Sequence, residues 1–179
     1  EPAESNAKTI LEKSNWNNMF IYSNSLTEKQ VCLFNHNNEW YLSYLYELIN
    51  ISLTNDVLDI FNNLTNTKIN YEYLDKNLCY YFLINDPSFR TIGTCDIDSS
   101  SIFHLFTTKK YDMFLVDEHI FQDIPKIKNL YFSCLDELLT SLDQINYNDI
   151  TNKQLTTCGY SIYLCNPLTK SYDFFKLKT

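Results

Sequence analysis

The chain has very little glycine, and this excludes the commonest loops that bind phosphate groups. Its 179 residues include two glycines, Gly93 and Gly159, which stand far apart. A Walker loop or a dinucleotide-binding turn needs several glycines close together, so that the backbone can approach the phosphates. Neither fingerprint is present, and any nucleotide site in this protein must be built in another way.

The sequence also lacks the spacing of a zinc site. None of the six cysteines forms a C-x-x-C pair, and His36, His104 and His119 are far apart. An even number of cysteines permits disulfides, but several of these cysteines stand in apolar strand patterns, where a reduced, buried thiol is the ordinary finding. We therefore predict no metal site. The cysteines are Cys32, Cys79, Cys95, Cys134, Cys158 and Cys165.

No segment has the length and apolar character of a membrane span, and the first residues carry no apolar signal core. These absences predict a cytoplasmic, reducing location and no membrane partner. The formal net charge of −8 argues against a protein that coats nucleic acid non-specifically, because counterion release needs a positive surface. Any contact with nucleic acid is expected to be local.

The length and the hydrophobic content of 45% fit one well-buried domain. We predict a single domain over residues 1–179, in which residues 1–18 are a polar lead-in with at most one helical turn. Many short β-rich runs, two principal helices and short connections predict an α+β fold with mostly antiparallel sheet.

The apolar periodicity locates the main elements. Strands are predicted at 19–22, 30–35, 39–45, 78–84, 89–94, 102–107 and 113–116. The run at 78–84 is continuously apolar and is therefore expected to be central. Helices are predicted at 54–64, with Thr54 or Asn55 as cap, and at 133–142, with Ser133 as cap.

The last stretch, residues 156–178, contains the strongest candidate for a binding site. Two β-rich segments joined by Asn166-Pro167 predict a hairpin, and its second strand ends in Lys176-Leu177-Lys178. Side chains two residues apart on a strand share a face. The two lysines therefore predict a small cationic site suited to phosphates.

The order of these segments resembles the nucleotidyltransferase domain of the RNA-ligase family, especially the divergent versions of large DNA viruses. The resemblance covers roughly residues 20–179 and rests on four stretches. It implies a nucleotidyltransferase-like fold and a pocket for ATP, GTP or the 5′ end of RNA. The stretches are 39–43 (EWYLS), 74–92 (LDKNLCYYFLINDPSFRTI), 124–126 (IPK) before a helix, and 158–163 (CGYSIY) leading to Lys176 and Lys178.

The residues that carry catalysis in that family are largely replaced here. The lysine nucleophile would have to be Lys29, but no Asp-Gly pair follows it. Leu83 and Cys158 stand where the resemblance implies metal-binding carboxylates, and neither side chain suits the oxygen-only shell of Mg²⁺. The resemblance therefore implies a non-catalytic domain that keeps the lysine pair and requires no cofactor.

Aromatic side chains complete the predicted site, because flat rings stack on bases and attract a cationic methylated guanine. The candidates are Trp16, Trp40, Tyr22 and Tyr44, which lie near the strands that border the nucleotide cleft in the family, together with Arg90. The alternative interpretation is that both tryptophans fill a hydrophobic core.

Two other functions remain open. In the first, the protein is a working ATP-dependent RNA ligase in which Lys29 is the nucleophile and Glu28 or Asp86 binds the metal. In the second, the cleft is closed and the protein is a scaffold that binds other proteins. The expected partners are thus a nucleotide or an RNA 5′ end, and other proteins of an RNA-processing or translation assembly in a host cytoplasm.

Overall fold

The computed structural model describes residues 4–24, 28–44, 47–53, 55–89, 99–111, 115–116, 120–152, 159–166, 168 and 172–178. The chain has an α+β fold with two antiparallel sheets and few helices, so the predicted class is confirmed. It divides into two compact units: Glu1–Leu26, Thr91–Asp96 and Lys128–Thr179 form unit 1, and Thr27–Arg90 and Ile97–Ile127 form unit 2. A single nucleotidyltransferase-like domain over 1–179 stays a prediction.

The described part of the chain contains three α-helices and nine strands. The helices are α1 (Glu4–Glu12), α2 (Asp56–Thr65) and α3 (Leu135–Asn152). The strands are β1 (Met19–Asn24), β2 (Glu28–His36), β3 (Glu39–Tyr44), β4 (Glu47–Asn50), β5 (Leu78–Asn85), β6 (Ser101–Lys109), β7 (Leu115–Val116), β8 (Gly159–Cys165) and β9 (Tyr172–Lys178). None of the helices in these ranges is long and apolar enough to cross a membrane.

Unit 1 is a three-stranded sheet in the order β1-β8-β9, with helices against one face. Because side chains alternate along a strand, every second residue of each strand faces the helices. Burial of these apolar side chains supplies the core of the unit. It comprises Ala7 and Leu11 of α1, Leu135, Leu138 and Leu142 of α3, and Met19, Ile21, Tyr160, Ile162, Phe175 and Leu177 of the strands.

Helix α1 corrects the prediction of a polar lead-in with at most one helical turn. Nine residues are helical, and Ala7 and Leu11 are buried in the core of unit 1. An isolated helix of this length is marginal in water, so its stability comes from tertiary packing. Among the residues of α1 whose burial is described, 7–12, this i, i+4 pair is the buried one, and a single pair gives too little periodicity to predict a helix.

Helix α3 ends at Asn152, ten residues beyond its predicted end at Leu142, because the apolar periodicity used for the prediction weakens after Leu142. It begins at Leu135, two residues after its predicted start, and Ser133 lies just before its first turn. The backbone N–H and the hydroxyl of Ser133 donate to the Glu137 carboxylate at 2.6 and 2.7 Å. These two hydrogen bonds hold the pKa of Glu137 below its usual range.

Unit 2 is a six-stranded antiparallel sheet in the order β4-β3-β2-β5-β6-β7. The predicted hairpin is confirmed: Asn37 and Asn38 connect β2 to β3 with positive φ of 50° and 66°. Such a pair of left-handed residues matches the twist of the strands, and asparagine tolerates it. The predicted central strand is also confirmed, because β5 lies between β2 and β6.

One face of the unit 2 sheet is covered by α2, whose cap is Asn55, one of the two predicted candidates. The Asn55 side chain accepts a hydrogen bond from the Val57 N–H at 3.0 Å. Val57, Leu58 and Phe61 of the helix are buried against strand residues such as Phe82. The core of unit 2 shares no residue with the core of unit 1.

Asp86 follows β5 and is buried, and its carboxylate accepts three hydrogen bonds. The donors are the Ser88 N–H at 2.8 Å and the hydroxyls of Ser88 and Ser100, each at 2.5 Å. Burial raises the pKa of Asp86, but these hydrogen bonds outweigh it and hold the pKa below its usual range. The ionised form is thus the one that the fold stabilises.

Asp86→Asn is expected to lower the free energy of unfolding at neutral pH by about 1–2 kcal/mol, because charge-assisted hydrogen bonds become neutral ones. A depressed pKa contributes stability above the unfolded value of about 3.9, and this contribution disappears as pH falls through the folded value. The deficit of the variant should therefore shrink on acidification. Urea denaturation at neutral and acidic pH measures the free energy of unfolding of the wild type and the variant. A difference between them that stays the same at both pH values would contradict this account.

Candidate functional site

Strand β9 carries two aromatic rings and a lysine on the face of its sheet that points away from the helices. Phe175 and Leu177 belong to the core of unit 1, so their neighbours along the strand, Tyr172, Phe174 and Lys176, lie on the opposite face. Phe174 is 37% exposed, Lys176 is exposed and Tyr172 is half-buried. We call these three residues the β9 face.

The register aligns the β9 face with predicted site residues of the neighbouring strands. Lys176 is opposite Ser161 of β8, which is in turn opposite Tyr22 of β1. Two residues along, Phe174 is opposite Tyr163. The structure thus brings two of the predicted site residues, Tyr22 and Lys176, to one face of one sheet.

An aromatic cluster adjoins Lys176, with Tyr163 at its centre. The Tyr163 ring centroid lies 4.8 Å from that of Phe174 and 5.4 Å from that of Tyr172. It also lies 6.3 Å from Tyr22, nearly parallel at 17°, and 6.4 Å from Phe20. Such contacts fix the ring orientations, so the exposed part of the Phe174 ring is a pre-organised surface.

The half of this face nearest β1 is closed to ligands. Tyr22 is 2% exposed, and the Ser161 hydroxyl donates to the Asn24 side-chain oxygen in a buried hydrogen bond of 2.6 Å. Tyr22 supports the cluster but cannot itself stack on a base. The rings beside Lys176 that solvent reaches are those of Phe174 and Tyr172, which sequence reasoning missed. The alternation in Tyr-Asp-Phe-Phe-Lys-Leu-Lys was the signal that could have found them.

The other predicted site residues lie elsewhere. Trp40 is 9% exposed in the core of unit 2, where its ring lies 5.8 Å from that of Tyr71. Trp16 packs against the core of unit 1. Trp40 is therefore a core residue, and Trp16 is half-buried at the margin of a core. Arg90 lies outside the described residues, and Lys178 pairs with Gly159 through its backbone, while its side chain is outside what the structure describes.

Lys29 and Tyr44 line a cavity in unit 2. The Lys29 amine lies 4.6 Å from the ring centroid of Tyr44 and 4.2 Å from that of Phe89. Cation–π attraction at these distances holds the amine between the two rings. The cavity has a volume of about 390 Å³ and is also lined by Glu47, Asn55, Asp56, Val57 and Ser88.

The charges around Lys29 restrict what the cavity can bind. Glu47 and Asp56 place two carboxylates in the lining against one ammonium group, so a polyanion would meet net repulsion unless a cation came with it. Asp86, one of the two carboxylates proposed for metal binding, instead accepts hydrogen bonds from Ser88 and Ser100. The sequence did not single out Glu47 or Asp56.

No protein-family model matches the chain, and neither the curated proteins nor the solved structures yield a match. The resemblance to the RNA-ligase family therefore stays a prediction.

Proposed function

We propose that the protein is a non-catalytic nucleotidyltransferase-like domain that binds a nucleotide or the 5′ end of an RNA. The β9 face is the place of contact: Lys176 binds a phosphate, and Phe174 stacks on the first base. Tyr172 and Tyr163 hold the Phe174 ring in position. No metal ion or other cofactor is needed for this binding, and ATP, GTP and a cap are candidate ligands.

The observation that carries the proposal is the alternation of Phe174 and Lys176 on one exposed face. Single-stranded nucleic acid is bound by aromatic rings that stack on its bases and by cations that follow its backbone. The Phe174 ring, 37% exposed and packed on Tyr163, which contacts three further rings, supplies the first element. The adjacent exposed ammonium group of Lys176 supplies the second.

The acidity of the chain favours a short ligand. A net charge of −8 repels a long polyanion, whereas a terminal nucleotide needs to meet only the local cation. Binding to single strands depends on salt with a slope of about −0.7 for each neutralised phosphate. A slope of about −0.7 to −1.4, for one or two phosphate contacts, is therefore expected.

Binding is tested by fluorescence anisotropy with a short, 5′-triphosphorylated RNA in a buffer without divalent cations. Phe174→Ala is expected to weaken binding by about 1–3 kcal/mol, because one stacking surface is lost. Lys176→Gln is expected to weaken it several-fold and to reduce the salt slope by about 0.7. Matched controls in unit 1 are Tyr131→Ala, which removes an exposed ring, and Lys13→Gln, which removes an exposed charge.

The two controls should leave binding unchanged. Equal losses in the controls and in the β9 variants would mean that only general charge and hydrophobicity matter, and would overturn the assignment of the site. A thermal-shift series with ATP, GTP and a cap analogue identifies the ligand class. Ligand at a hundred times its dissociation constant adds about 2.7 kcal/mol of stability, and a flat response to all three, together with no RNA binding, favours the protein scaffold.

A second candidate function is an active nucleotidyltransferase that uses Lys29. The observation that favours it is the location of the Lys29 amine in a cavity that also contains the carboxylates of Glu47 and Asp56. A lysine nucleophile needs such a pocket, and two carboxylates suit the hard cation that would accompany a triphosphate.

This candidate is tested with labelled ATP and GTP in the presence of Mg²⁺. An acid-stable protein adduct that is absent from Lys29→Ala, and present in the exposed control Lys68→Ala, would establish catalysis and replace the non-catalytic proposal. If wild-type protein forms no adduct but binds RNA, the non-catalytic function is supported.

A further inference from the structure

Cys32 of β2 and Cys79 of β5 are neighbours on the face of the unit 2 sheet that points away from α2. Cys32 is directly opposite Tyr81, and Cys79 is directly opposite Phe34. The two cysteines are therefore diagonal neighbours on adjacent antiparallel strands and share one face. Both are half-buried and reduced. Forty-six residues separate them in the sequence, so spacing gave no sign of the pair.

The two thiols hydrogen-bond to each other, and this makes them chemically unequal. The hydrogen bond from Cys32 lowers the pKa of Cys79. The same hydrogen bond, with burial, raises the pKa of Cys32. Cys79 is therefore the sulfur that ionises first, and Cys32 keeps its proton.

A neighbouring lysine favours a negative charge on the Cys79 sulfur. The Lys110 ammonium group attracts the Cys79 thiolate, and Lys110 is held in place because its backbone N–H donates to the Asn77 carbonyl at 2.9 Å and its amine to the Asn35 carbonyl.

We propose that Cys32 and Cys79 form a thiol–disulfide exchange site, in which Cys79 attacks a small disulfide such as oxidised glutathione and Cys32 resolves the mixed disulfide. The arrangement contains the parts that such a site needs. They are an ionisable attacking thiol, a fixed cation that favours its thiolate, and a second thiol on the same face of the adjacent strand.

The reaction balances with oxidised glutathione as the oxidant. The Cys79 thiolate forms a bond to one glutathione sulfur and expels the other glutathione as a thiolate, which takes up a proton. Cys32 then loses its proton and attacks the Cys79 sulfur, expelling the second glutathione. Two protein thiols are oxidised to one disulfide, and one oxidised glutathione is reduced to two molecules of the thiol.

The test treats the full folded chain with oxidised glutathione near neutral pH, followed by proteolysis without reductant and mass spectrometry. Wild-type protein is expected to yield a peptide pair that links Cys32 to Cys79. Cys32→Ser is expected to stop with glutathione attached to Cys79. Cys79→Ser is expected to take up glutathione at Cys32 several-fold more slowly, because burial of the Cys32 sulfur still raises the pKa of this thiol when Cys79 is absent.

Cys134, which is exposed in unit 1, supplies the control, since Cys134→Ser should leave the Cys32–Cys79 link unchanged. Three results would overturn the proposal. The linked peptides are absent although Cys134 has reacted, the link forms only after the chain is unfolded in urea, or the two serine variants acquire glutathione at equal rates.

Discussion

Phe82→Ala is expected to lower the free energy of unfolding of unit 2 by about 3–5 kcal/mol, the range for removing a buried phenylalanine from a core. Phe82 stands in the central strand β5 and has no solvent exposure. Its ring lies 5.2 Å from that of Phe121, 5.5 Å from that of Phe61 and 5.7 Å from that of His104. Alanine would leave a cavity with aromatic walls on three sides.

Urea denaturation followed by circular dichroism measures this loss. The matched control is Tyr73→Ala, which removes a ring of similar size that is 84% exposed and should change stability by less than about 0.5 kcal/mol. A loss below about 1 kcal/mol for Phe82→Ala would mean that the surrounding rings collapse into the space, and would contradict a closely packed core.

Leu11→Ala is expected to lower the free energy of unfolding of unit 1 by about 2–5 kcal/mol. Leu11 is fully buried in the cluster that α1 shares with α3 and the three-stranded sheet. If residues 4–12 were a polar lead-in, this substitution would have almost no effect. The variant therefore distinguishes the sequence interpretation from the structure.

Ile10→Ala is the control, because Ile10 is the preceding residue of the same helix and is 40% exposed. Alanine is a better helix former than either residue, and the gain in helix propensity is slightly larger for isoleucine than for leucine. The difference between the variants beyond a few tenths of a kcal/mol therefore measures burial. Equal stabilities for the two variants would show that α1 does not pack as described.

The β9 face was predicted from the sequence only in part. The last strand and its lysine were located from local pattern alone, because β9 alternates and the register follows from the hairpin. The identity of the exposed ring beside it was not, since the sequence pattern alone does not separate Tyr22 from Phe174. Only their burial, 2% against 37%, separates them.

The predicted elements that were confirmed share a local cause. The β2–β3 hairpin, the cap of α2 and the apolar run of β5 depend on residues within a few positions of each other. Turn chemistry, capping and periodicity act over that range, and they determine where strands and helices begin. The amino-acid order alone was therefore sufficient for the α+β class.

The other properties depend on residues that meet only in the folded chain. Helix α1 is stabilised by the apolar surface of α3 and the sheet. Trp40 is a core residue and not a ligand-binding residue because it packs against Tyr71 and Tyr80. Likewise, Cys32 and Cys79 meet because β2 pairs with β5. Burial and long-range strand pairing depend on contacts between residues that are distant in the sequence, so a local sequence pattern cannot predict them.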